Sequence, residues 1–474
     1  MSDDREVPDV AGPVEYADAG NEFLRHALAV RGRAPERLIL FPYPNTPPKL
    51  RQIAVPTFPD MLELWMSAGR IGRITDPQLS GRVFGRRLAK KIKGGGWHFR
   101  NLRRAWDAFV TMVDDCTPKH GEICNTDVAN YYGSINLDLL EKQLRDLGCP
   151  PADVRTSMSI FENWQARDGL KGLPVALDSS SVLGTAFLRD VDVELERRRI
   201  IHGRWVDDIV MVGAARGACR AARDVVALTL ATLGLTLSEQ KTYFDSRSDG
   251  LARLRSKEIS LIEAVGRMDS ELEEELILDA FEEILAEGEA AEGRKTRWLL
   301  AALAHRGERY SLYRLATNPG VMNVDPAATG KFFKRFFRRE DFTDHRIVPA
   351  LCEVLITAAI ERTHALHLHL MRALTTVQSL GTAEGAVFER HVFDVGRPMP
   401  VRCWALHAYA ITPRWSARRI IDFAEAEADS RVRRAAVLTL KSRVSTRRLR
   451  PFLDHVDRMF PDIRITTAYV RRAA

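Results

Sequence analysis

Two short segments alternate between apolar and polar residues as half-buried β-strands do. The first, Glu122–Val128, runs into an aspartate at position 127. The second, Arg204–Val212, is mainly apolar on both sides of the adjacent pair Asp207 and Asp208. The apolar runs predict a strand-turn-strand hairpin with acids at its tip. Like charges repel there while the flanks favour burial, and a divalent cation removes that conflict, so the tip is predicted to be a metal site. An ordinary surface turn is the alternative. One sheet containing both segments would bring the three carboxylates together.

Helical patterns lie between and after these strands. The stretch between Asp127 and Asp207 leaves room for two helices. Within it, Gly172-Leu173-Pro174 marks a sharp turn, and Asp178-Ser179-Ser180 can cap a helix whose apolar residues point inward. Further on, Gly234 is typical of a helix end, and a short strand leading to a lysine at position 241 is predicted to follow.

The composition changes beyond the lysine at position 241. From about Asp269 the chain consists of amphipathic runs that predict helices, among them Glu271–Glu287, Arg297–His305, His345–Ile360 and Thr363–Leu374. Two segments are self-similar at a separation of 31 positions, Val401–Leu406 and Val432–Val437. This spacing favours HEAT-type helical repeats over two unrelated amphipathic helices.

Four motifs in order resemble the palm of reverse transcriptases. They are Asp127-x-x-x-Tyr131-Tyr132-x-Ser134-Ile135, Gly172-Leu173-Pro174-Val175 with a later serine on a helix, Arg204-Trp205-Val206-Asp207-Asp208, and Gly234-Leu235-x-Leu237 followed by Lys241-Thr242. Gly-Leu-Pro-Val in place of Gly-x-Pro-Gln-Gly resembles the bacterial abortive-infection and defence-associated group. The resemblance covers roughly residues 45–245, and helical-repeat tails accompany that group.

The resemblance implies nucleotidyl transfer with two Mg²⁺ ions, in which positioning and charge stabilisation supply most of the catalysis. It implies that Asp127, Asp207 and Asp208 hold the metal, with Asp208 the most dispensable of the three. Lys241 matches a lysine that protonates or neutralises the leaving pyrophosphate, and it completes the predicted catalytic set. A solvated lysine before a turn is the alternative for Lys241.

Four further residues are implied to bind the nucleotide. Tyr132 matches the aromatic residue that packs under the sugar and excludes a 2′-hydroxyl, which favours dNTPs; a core tyrosine is the alternative. Ser180 matches a helix serine facing nucleotide and template, whereas its neighbours Ser179 and Ser181 are expected to cap the helix or face solvent. Arg51 and, less strongly, Lys49 lie on a segment that resembles the fingers strand whose basic residues meet the triphosphate.

Two departures from the family pattern bear on activity. Val175-Ala176 replaces the polar pair near template and nucleotide, so templated and template-independent synthesis both stay open. Trp205 stands where tyrosine is usual. Some relatives extend DNA from their own tyrosine, and the sequence does not choose among Tyr310, Tyr313, Tyr409 and Tyr469.

Composition indicates an ordinary globular chain of two or three domains. The 474 residues are 45% hydrophobic and 28% charged, with a formal net charge of +7. No apolar run reaches ~18 residues, so no membrane span is predicted. The opening residues Met1–Glu6 resemble no signal or transit peptide. Six cysteines without Cys-x-x-Cys spacing favour reduced thiols and a cytoplasmic location.

Basic residues cluster between positions 82 and 104, where nine lysines and arginines occur without an acid. Such a cluster with interleaved aromatic residues can track a phosphate backbone, although a solvated helix face is the alternative. The residues predicted to bind nucleic acid are Arg86, Arg87, Lys90, Lys91, Lys93 and Arg100. A second basic region near the C-terminus, around Arg443–Arg450, can bind the emerging strand or a neighbouring subunit, so a homo-oligomer is left open.

The histidines His364, His367 and His369 lack the i, i+4 spacing of a helical zinc pair and have no accompanying acid or cysteine, so no metal site is predicted there. A partly buried helix surface is expected instead.

These patterns predict an N-terminal tail over 1–29, an α+β fingers-palm domain over 30–255 and an all-α repeat domain over 256–474. The resemblance implies a DNA polymerase of reverse-transcriptase type that acts on dNTPs and nucleic acid in anti-phage defence. An RNA-synthesising polymerase and a catalytically idle nucleic-acid-binding scaffold are the alternatives. Three crowded carboxylates without metal would destabilise an idle palm, which weighs against the scaffold.

Overall fold

The computed structural model describes the residues 34–45, 49–89, 99–214, 217–258, 271–339, 342, 345–357, 361–377 and 380–472. These residues form two compact units. We call residues 34–40 and 56–258 the sheet unit, and residues 41–55 and 271–472 the helical unit. The predicted N-terminal tail over 1–29 lies outside the described residues.

The sheet unit is built on a four-stranded antiparallel sheet with the order β4-β5-β3-β6. Its strands are β3 Glu122–Asp127, β4 Ile201–Trp205, β5 Asp208–Gly213 and β6 Tyr243–Ser246. β3 and β5 are the central strands, and almost all their residues are buried. The hairpin formed by β4 and β5 confirms the strand-turn-strand pattern predicted around the paired aspartates.

Nine helices within the described residues of the sheet unit surround this sheet. They are α1 Phe58–Thr75, α2 Leu102–Cys116, α3 Tyr131–Ser134, α4 Leu137–Asp146, α5 Pro151–Asp168, α6 Asp178–Phe187, α7 Arg189–Arg197, α8 Ala218–Thr232 and α9 Arg247–Glu258. Five of them, α3 to α7, lie between β3 and β4. The stretch that the spacing showed to have room for two helices thus contains five, and helices as short as α3 leave almost no periodic signal in the sequence.

The core of the sheet unit lies between the sheet and two helices that are distant in sequence. Phe109 and Val113 of α2 pack with Ile123 of β3, Val210 of β5 and Leu254 of α9. Burial of such apolar side chains contributes about 1.5–3 kcal/mol each. The helix α8 also packs against β3 and β5, so the strands that carry the aspartates are held on a covered sheet.

The helical unit contains part of a two-stranded sheet and thirteen helices within its described residues. The strands are β1 Ile39–Pro44, which begins in the sheet unit, and β2 Leu50–Val55. The helices are α10 Glu271–Glu287, α11 Gly293–Arg306, α12 Tyr310–Ala316, α13 Pro319–Val324, α14 Pro326–Phe337, α15 Ile347–Thr357, α16 His364–Leu374, α17 Thr382–Phe393, α18 Met399–Ala410, α19 Ala417–Ala426, α20 Ser430–Lys441, α21 Thr446–Met459 and α22 Arg464–Arg472. Contacts group residues 41–55 with this unit, whereas the sequence-based division placed them in the polymerase domain.

Alternate helices of this unit pack side by side, in the order α14, α16, α18, α20 and α22. The two self-similar segments fall on α18 and α20, where each contributes a buried arginine. Arg402 Nε donates to the carbonyl of Val392 at 3.1 Å, and Arg433 Nε donates to the carbonyl of Ala424 at 3.3 Å. Equivalent arginines thus cap the end of the preceding helix at both positions, while the HEAT-type class stays a prediction. None of the helices in the described ranges combines the length and apolarity that a membrane crossing requires.

Candidate metal-binding carboxylate site

Strand pairing brings the three predicted aspartates to one edge of the sheet. Asp127 is the last residue of β3, and in the antiparallel register it lies opposite Asp208, the first residue of β5. Asp207 occupies the two-residue turn between β4 and β5. Directly opposed residues in an antiparallel pair have Cβ atoms about 4.5–5.5 Å apart. The fold therefore places three carboxylates, separated by 80 positions in the sequence, within reach of one another.

The crowding of these carboxylates is visible in the pKa of Asp207. Burial and the negative charges of Asp127 and Asp208 together raise the pKa of this carboxyl to about 7. The Lys241 ammonium acts in the opposite direction without cancelling the shift. A carboxylate that is costly to ionise beside two others is the electrostatic condition that a bound cation relieves.

Lys241 supplies positive charge to the carboxylates. Its Nζ lies 2.9 Å from Asp127 Oδ2, and the side chain is 63% exposed. Burial lowers the pKa of Lys241, but the hydrogen bond and the charge of Asp127 outweigh that effect and leave the pKa raised. The predicted proximity of the lysine to the carboxylates is thus present in the structure.

The backbone before Lys241 is pinned to the end of β3. The amide of Ser238 donates to the carbonyl of Asp127 at 2.8 Å, and Leu237 forms a single β-bridge with Val128. The short strand predicted before the lysine is reduced to this bridge, and β6 begins only at Tyr243. A 3₁₀ turn over 239–241 then carries the lysine toward Asp127.

The donor set fits a hard divalent cation such as Mg²⁺, which prefers carboxylate oxygens and completes its shell with water and substrate phosphates. Among the residues that the structure describes, no three His, Cys, Asp or Glu side chains are already arranged to enclose a metal ion. The Lys241 ammonium holds an Asp127 oxygen that a metal would take. A metal ion at this edge would therefore share the Asp127 carboxylate with the Lys241 ammonium.

The turn that carries Asp207 is strained. Val206 has φ 60°, a left-handed conformation that is rare for a β-branched residue and costs on the order of 1–3 kcal/mol. A Cβ at Gly85 would stand 2.8 Å from the Val206 nitrogen, so only glycine allows the chain at position 85 to approach the turn this closely. The conformation is thus constrained by its neighbours.

A tyrosine pocket adjoins the carboxylates. The rings of Tyr131 and Tyr132 lie 5.1 Å apart, and the Tyr132 hydroxyl is 3.5 Å from Ser181 Oγ. Burial raises the pKa of Tyr132, the Ser181 hydrogen bond lowers it, and the nearby charge of Asp207 raises it again. A Cβ at Gly184 would come within 3.1 Å of Tyr132 Cε1, so a side chain there would crowd both rings. The predicted sugar-contacting tyrosine is therefore beside the carboxylates.

The Gly172-Leu173-Pro174 turn packs against the backbone of Tyr132. Gly172 has φ +59°, and a Cβ there would lie 2.1 Å from the Tyr132 carbonyl oxygen. The amide of Leu173 donates to the same carbonyl at 2.8 Å. The motif therefore requires glycine because two backbone segments touch, and a larger residue at position 172 would displace Tyr132.

The serines of α6 differ from expectation. Leu177 is the residue before the helix, and it provides no side-chain cap. Ser179, Ser180 and Ser181 are all buried, so the expectation that Ser179 and Ser181 cap the helix or face solvent was wrong. The reason is that α6 packs against other helices over its whole circumference. Ser180 Oγ is buried without a hydrogen-bond partner in the described part of the chain, whereas Ser181 contacts Tyr132.

The predicted basic residues separate into different environments. Arg86 is partly exposed, 3.7 Å from Asp178 Oδ1, and its guanidinium lies 4.9 Å from the centre of the Phe99 ring. It also lowers the pKa of Tyr132, which places it beside the tyrosine pocket. Arg100 is exposed and donates from its backbone amide to the Arg87 carbonyl at 2.8 Å.

Arg87 has a structural environment instead. It is 6% exposed, and its guanidinium nitrogens donate to Asp76, to the Ser80 carbonyl and to the Val83 carbonyl. This burial is at odds with the predicted phosphate contact, because every guanidinium nitrogen already has a protein acceptor. Lys90, Lys91 and Lys93 lie outside the described residues. Lys49 and Arg51 lie at the start of β2, in the helical unit, and their nucleotide contact stays a prediction.

Comparisons with known proteins bear on the sheet unit. Residues 77–259 match the family model described as reverse transcriptase (RNA-dependent DNA polymerase), a match that covers less than half of the chain. No curated protein sequence matches the chain. Among solved structures, apo telomerase from Candida tropicalis is similar at a TM-score of 0.34 and 10% identity, over 83% of this chain and 74% of that chain. A TM-score of this size does not establish a shared fold.

The matched segment contains all three aspartates, Tyr132 and Lys241. It thereby supports a nucleic-acid polymerase of reverse-transcriptase type as the class of protein that this segment defines. Reverse transcriptase domains generally use divalent metal ions, typically Mg²⁺, which agrees with the donor set at the sheet edge. The family also implies nucleotides and nucleic acid as substrates.

Proposed function

We propose that the sheet unit is a Mg²⁺-dependent DNA polymerase of reverse-transcriptase type that uses dNTPs. The observation that carries the proposal is the register of β3 and β5, which opposes Asp127 to Asp208 with Asp207 beside them in the turn. Three carboxylates and one lysine at a sheet edge provide the charge distribution that phosphoryl transfer requires.

In this proposal Asp127, Asp207 and Asp208 hold two Mg²⁺ ions. The ions supply charge stabilisation for the reacting phosphate when they are bound. The Lys241 ammonium, beside the same carboxylates, would be available to neutralise or protonate the leaving pyrophosphate. Its exposed side chain supports that role, because it can reach a phosphate and lysine is protonated at neutral pH.

We further propose that Tyr132 selects deoxynucleotides. Its position between Tyr131, Ser181 and the Asp207 carboxylate supports a ring that lines the nucleotide sugar site. Arg86, at the border of the same pocket, is the cation best placed to meet an incoming phosphate, and its interaction with Asp178 at 3.7 Å is weak enough to exchange. Arg100 is an exposed residue of the same basic cluster, and we propose that it contacts the phosphate backbone of the nucleic acid.

The tyrosine role has a direct test in the ratio of dNTP to NTP incorporation. Tyr132→Ala removes the ring that would exclude a 2′-hydroxyl. We expect the ratio of NTP to dNTP incorporation to rise by about 10-fold or more. Tyr132→Phe keeps the ring and loses only the long hydroxyl contact to Ser181, so its ratio should stay near wild type. Equal ratios for Tyr132→Ala and wild type would show that the ring does not select the sugar.

The polymerase assignment itself is tested by incorporation of labelled dNTPs and NTPs in Mg²⁺, with and without template and primer, beside Asp207→Asn. Incorporation that requires a template indicates templated synthesis, and incorporation without one indicates template-independent synthesis. Label that stays on the protein after denaturation identifies priming from a tyrosine. Tyr310 and Tyr313 are 52% and 41% exposed, whereas Tyr409 is buried and donates to the Arg414 carbonyl at 2.6 Å, so the first two are the better candidates.

The biological role that we propose is anti-phage defence of the abortive-infection type, supported by the Gly172-Leu173-Pro174-Val175 motif. We expect cells that express the wild-type chain to reduce plaque formation for at least one phage of a panel, and cells that express Asp207→Asn not to do so. Equal protection by both chains would favour the idle-scaffold alternative. In that alternative the helical unit, with its exposed Arg443, Arg447, Arg448 and Arg450, would be the working surface.

A further inference from the structure

The sheet unit encloses a fully buried arginine next to its strained turn. Arg204 is the fourth residue of β4 and has 0% relative exposure. Burial of a guanidinium is expensive unless every donor is satisfied. The partners that satisfy it therefore show what the residue holds in place.

The guanidinium of Arg204 joins three elements. Nε and Nη2 donate to the carboxylate of Asp192 on α7, at 2.9 and 2.6 Å. Nη2 also donates to the carbonyl of Thr185 on α6, at 3.1 Å. Nη1 donates to the carbonyl of Val206, at 2.9 Å. One planar fork thus connects two helices to the residue that directly precedes Asp207.

The backbone of Arg204 is fixed as well. Its amide donates to the Arg82 carbonyl at 2.9 Å, and its carbonyl accepts from the Phe84 amide at 2.9 Å. The side chain consequently starts from a rigid point of β4. Its hold on the Val206 carbonyl opposes any relaxation of the left-handed conformation at that residue.

The helix α6 gives this connection a second consequence. Besides Thr185, it carries Ser181, which contacts Tyr132, and Gly184, whose carbonyl accepts from the Tyr131 hydroxyl. The element that anchors the carboxylate turn is therefore the same element that shapes the tyrosine pocket.

We propose that Arg204 is a positioning residue that sets the carboxylates of Asp207 and Asp208 by holding the Val206 turn against α6 and α7. It touches neither substrate nor metal and acts through the backbone of the turn. The inference rests on the proposed function of the carboxylates as metal ligands. It adds a residue whose partner, Asp192, lies outside the four sequence motifs.

The test compares Mn²⁺ binding to purified full-length protein, measured by electron paramagnetic resonance, with dNTP incorporation by the same samples. Arg204→Lys keeps a positive charge near Asp192 but has no fork that reaches Thr185 and Val206 together. We expect Mn²⁺ affinity and incorporation to fall by about 10–100-fold, the range typical when the support of a metal ligand is lost. Arg70→Lys is the control, because Arg70 also forms a fork to a buried aspartate, Asp153, at 2.6–2.9 Å, but that fork joins α1 to α5 instead of holding the turn.

A rescue variant separates positioning from general stability. Asparagine adopts the left-handed conformation more readily than valine, so Val206→Asn combined with Arg204→Lys should recover part of the Mn²⁺ affinity. A purely structural Arg204 predicts lower thermal stability, unchanged Mn²⁺ affinity per folded molecule and no recovery by Val206→Asn. That result would overturn the proposal.

Two further outcomes are decisive. If Arg204→Lys does not fold, Asp192→Asn carries the same comparison, and failure of both to fold would overturn positioning in favour of a folding requirement. If wild type and Asp207→Asn bind Mn²⁺ equally, or if neither binds it, the proposed metal site is wrong. The positioning role, which depends on that site, is then wrong as well. If Arg204→Lys binds Mn²⁺ as tightly as wild type while Asp207→Asn does not bind it, the metal site is supported and only the role of Arg204 is wrong.

Discussion

The edge of the sheet brings like charges together, whereas the interior of the helical unit pairs opposite charges. In the helical unit, the buried Arg402 is 2.5 Å from Glu427, whose side chain is 8% exposed, and its Nε donates to a helix-end carbonyl. At the sheet edge, the carboxylates of Asp127 and Asp208 raise the pKa of Asp207, and the Lys241 ammonium beside Asp127 only partly offsets this effect. The first arrangement pairs opposite charges, and the second places like charges together.

The difference separates structural charge from functional charge. A balanced pair is strongly destabilising to break but has nothing left to bind a ligand. A cluster of like charges costs stability until a cation binds, so such a cluster is a candidate binding site. The buried pair of Asp192 and Arg204 shows that both kinds occur within the sheet unit, only a few residues apart.

The largest loss of stability should come from Asp192→Asn, which leaves Arg204 buried without its carboxylate. We expect the free energy of unfolding to fall by about 3–5 kcal/mol at neutral pH. Burial alone would raise the pKa of Asp192, but Arg204 and His202 outweigh it, so the folded pKa lies below the unfolded value of about 3.9. The contribution is therefore present above about pH 4 and is lost as the pH falls through the lowered pKa. Chemical unfolding of both proteins from pH 7 down to pH 3 checks this, and a difference that grows toward acid pH would contradict it.

Glu427→Gln should have the next largest effect, because it removes the carboxylate from Arg402 in the helical unit. We expect a loss of about 3 kcal/mol, somewhat less than for Asp192 because this pair is slightly exposed. Glu425→Gln on α19 is the matched control, since that side chain is 41% exposed and its nearest basic partner is 4.0 Å away. Thermal melts compare the two variants. Equal shifts would mean that burial does not distinguish these acids.

Asp207→Asn should change stability in the opposite direction. Removing one of three crowded carboxylates relieves repulsion, so we expect a gain on the order of 1–2 kcal/mol without divalent metal at pH 7. Asp224→Asn, an exposed aspartate on α8, is the control and should leave the melting temperature unchanged. A clear loss of stability in metal-free Asp207→Asn would show that the neighbouring carboxylates do not make Asp207 destabilising.

The smallest effect should come from Glu194→Gln on the surface of α7. Hydrogen bonds from Arg197 and Arg198 lower the pKa of Glu194 to about 2, yet the group lies at the protein surface and its two partners are about half or more exposed. Solvent screens such pairs, so no measurable change in melting temperature is expected. A shift comparable to that of Glu427→Gln would mean that pairing alone, without burial, determines stability in this chain.

Local patterns predicted the elements that carry the site but not their supports. The alternation around Asp127 and the apolar flanks of Asp207 and Asp208 predicted both strands, because half-buried strands impose a period of two. The helix Glu271–Glu287 was likewise predicted with the bounds that the structure has. By contrast, the burial of the α6 serines depends on contacts between distant segments, and that of Arg87 on an irregular turn that folds back onto Asp76 and Ser80. Neither arrangement has a periodic pattern that the sequence could reveal.

Arg204 illustrates this limit most clearly. It was visible as part of the Arg-Trp-Val-Asp-Asp motif, and its position two residues after His202 places both side chains on one face of β4. Its partner Asp192 lies on a helix among other acidic residues, and nothing in the spacing joins the two. Only the fold reveals that this arginine reaches forward to the Val206 carbonyl.

We propose that the three crowded carboxylates at the sheet edge bind a divalent cation. Melting temperature measured against Mg²⁺ concentration, for wild type and Asp207→Asn, tests it most directly. We expect Mg²⁺ to raise the melting temperature of wild type in a saturable way, since a ligand that binds the folded state stabilises it, and to leave Asp207→Asn nearly unchanged. Equal responses of the two proteins to Mg²⁺ would contradict the claim.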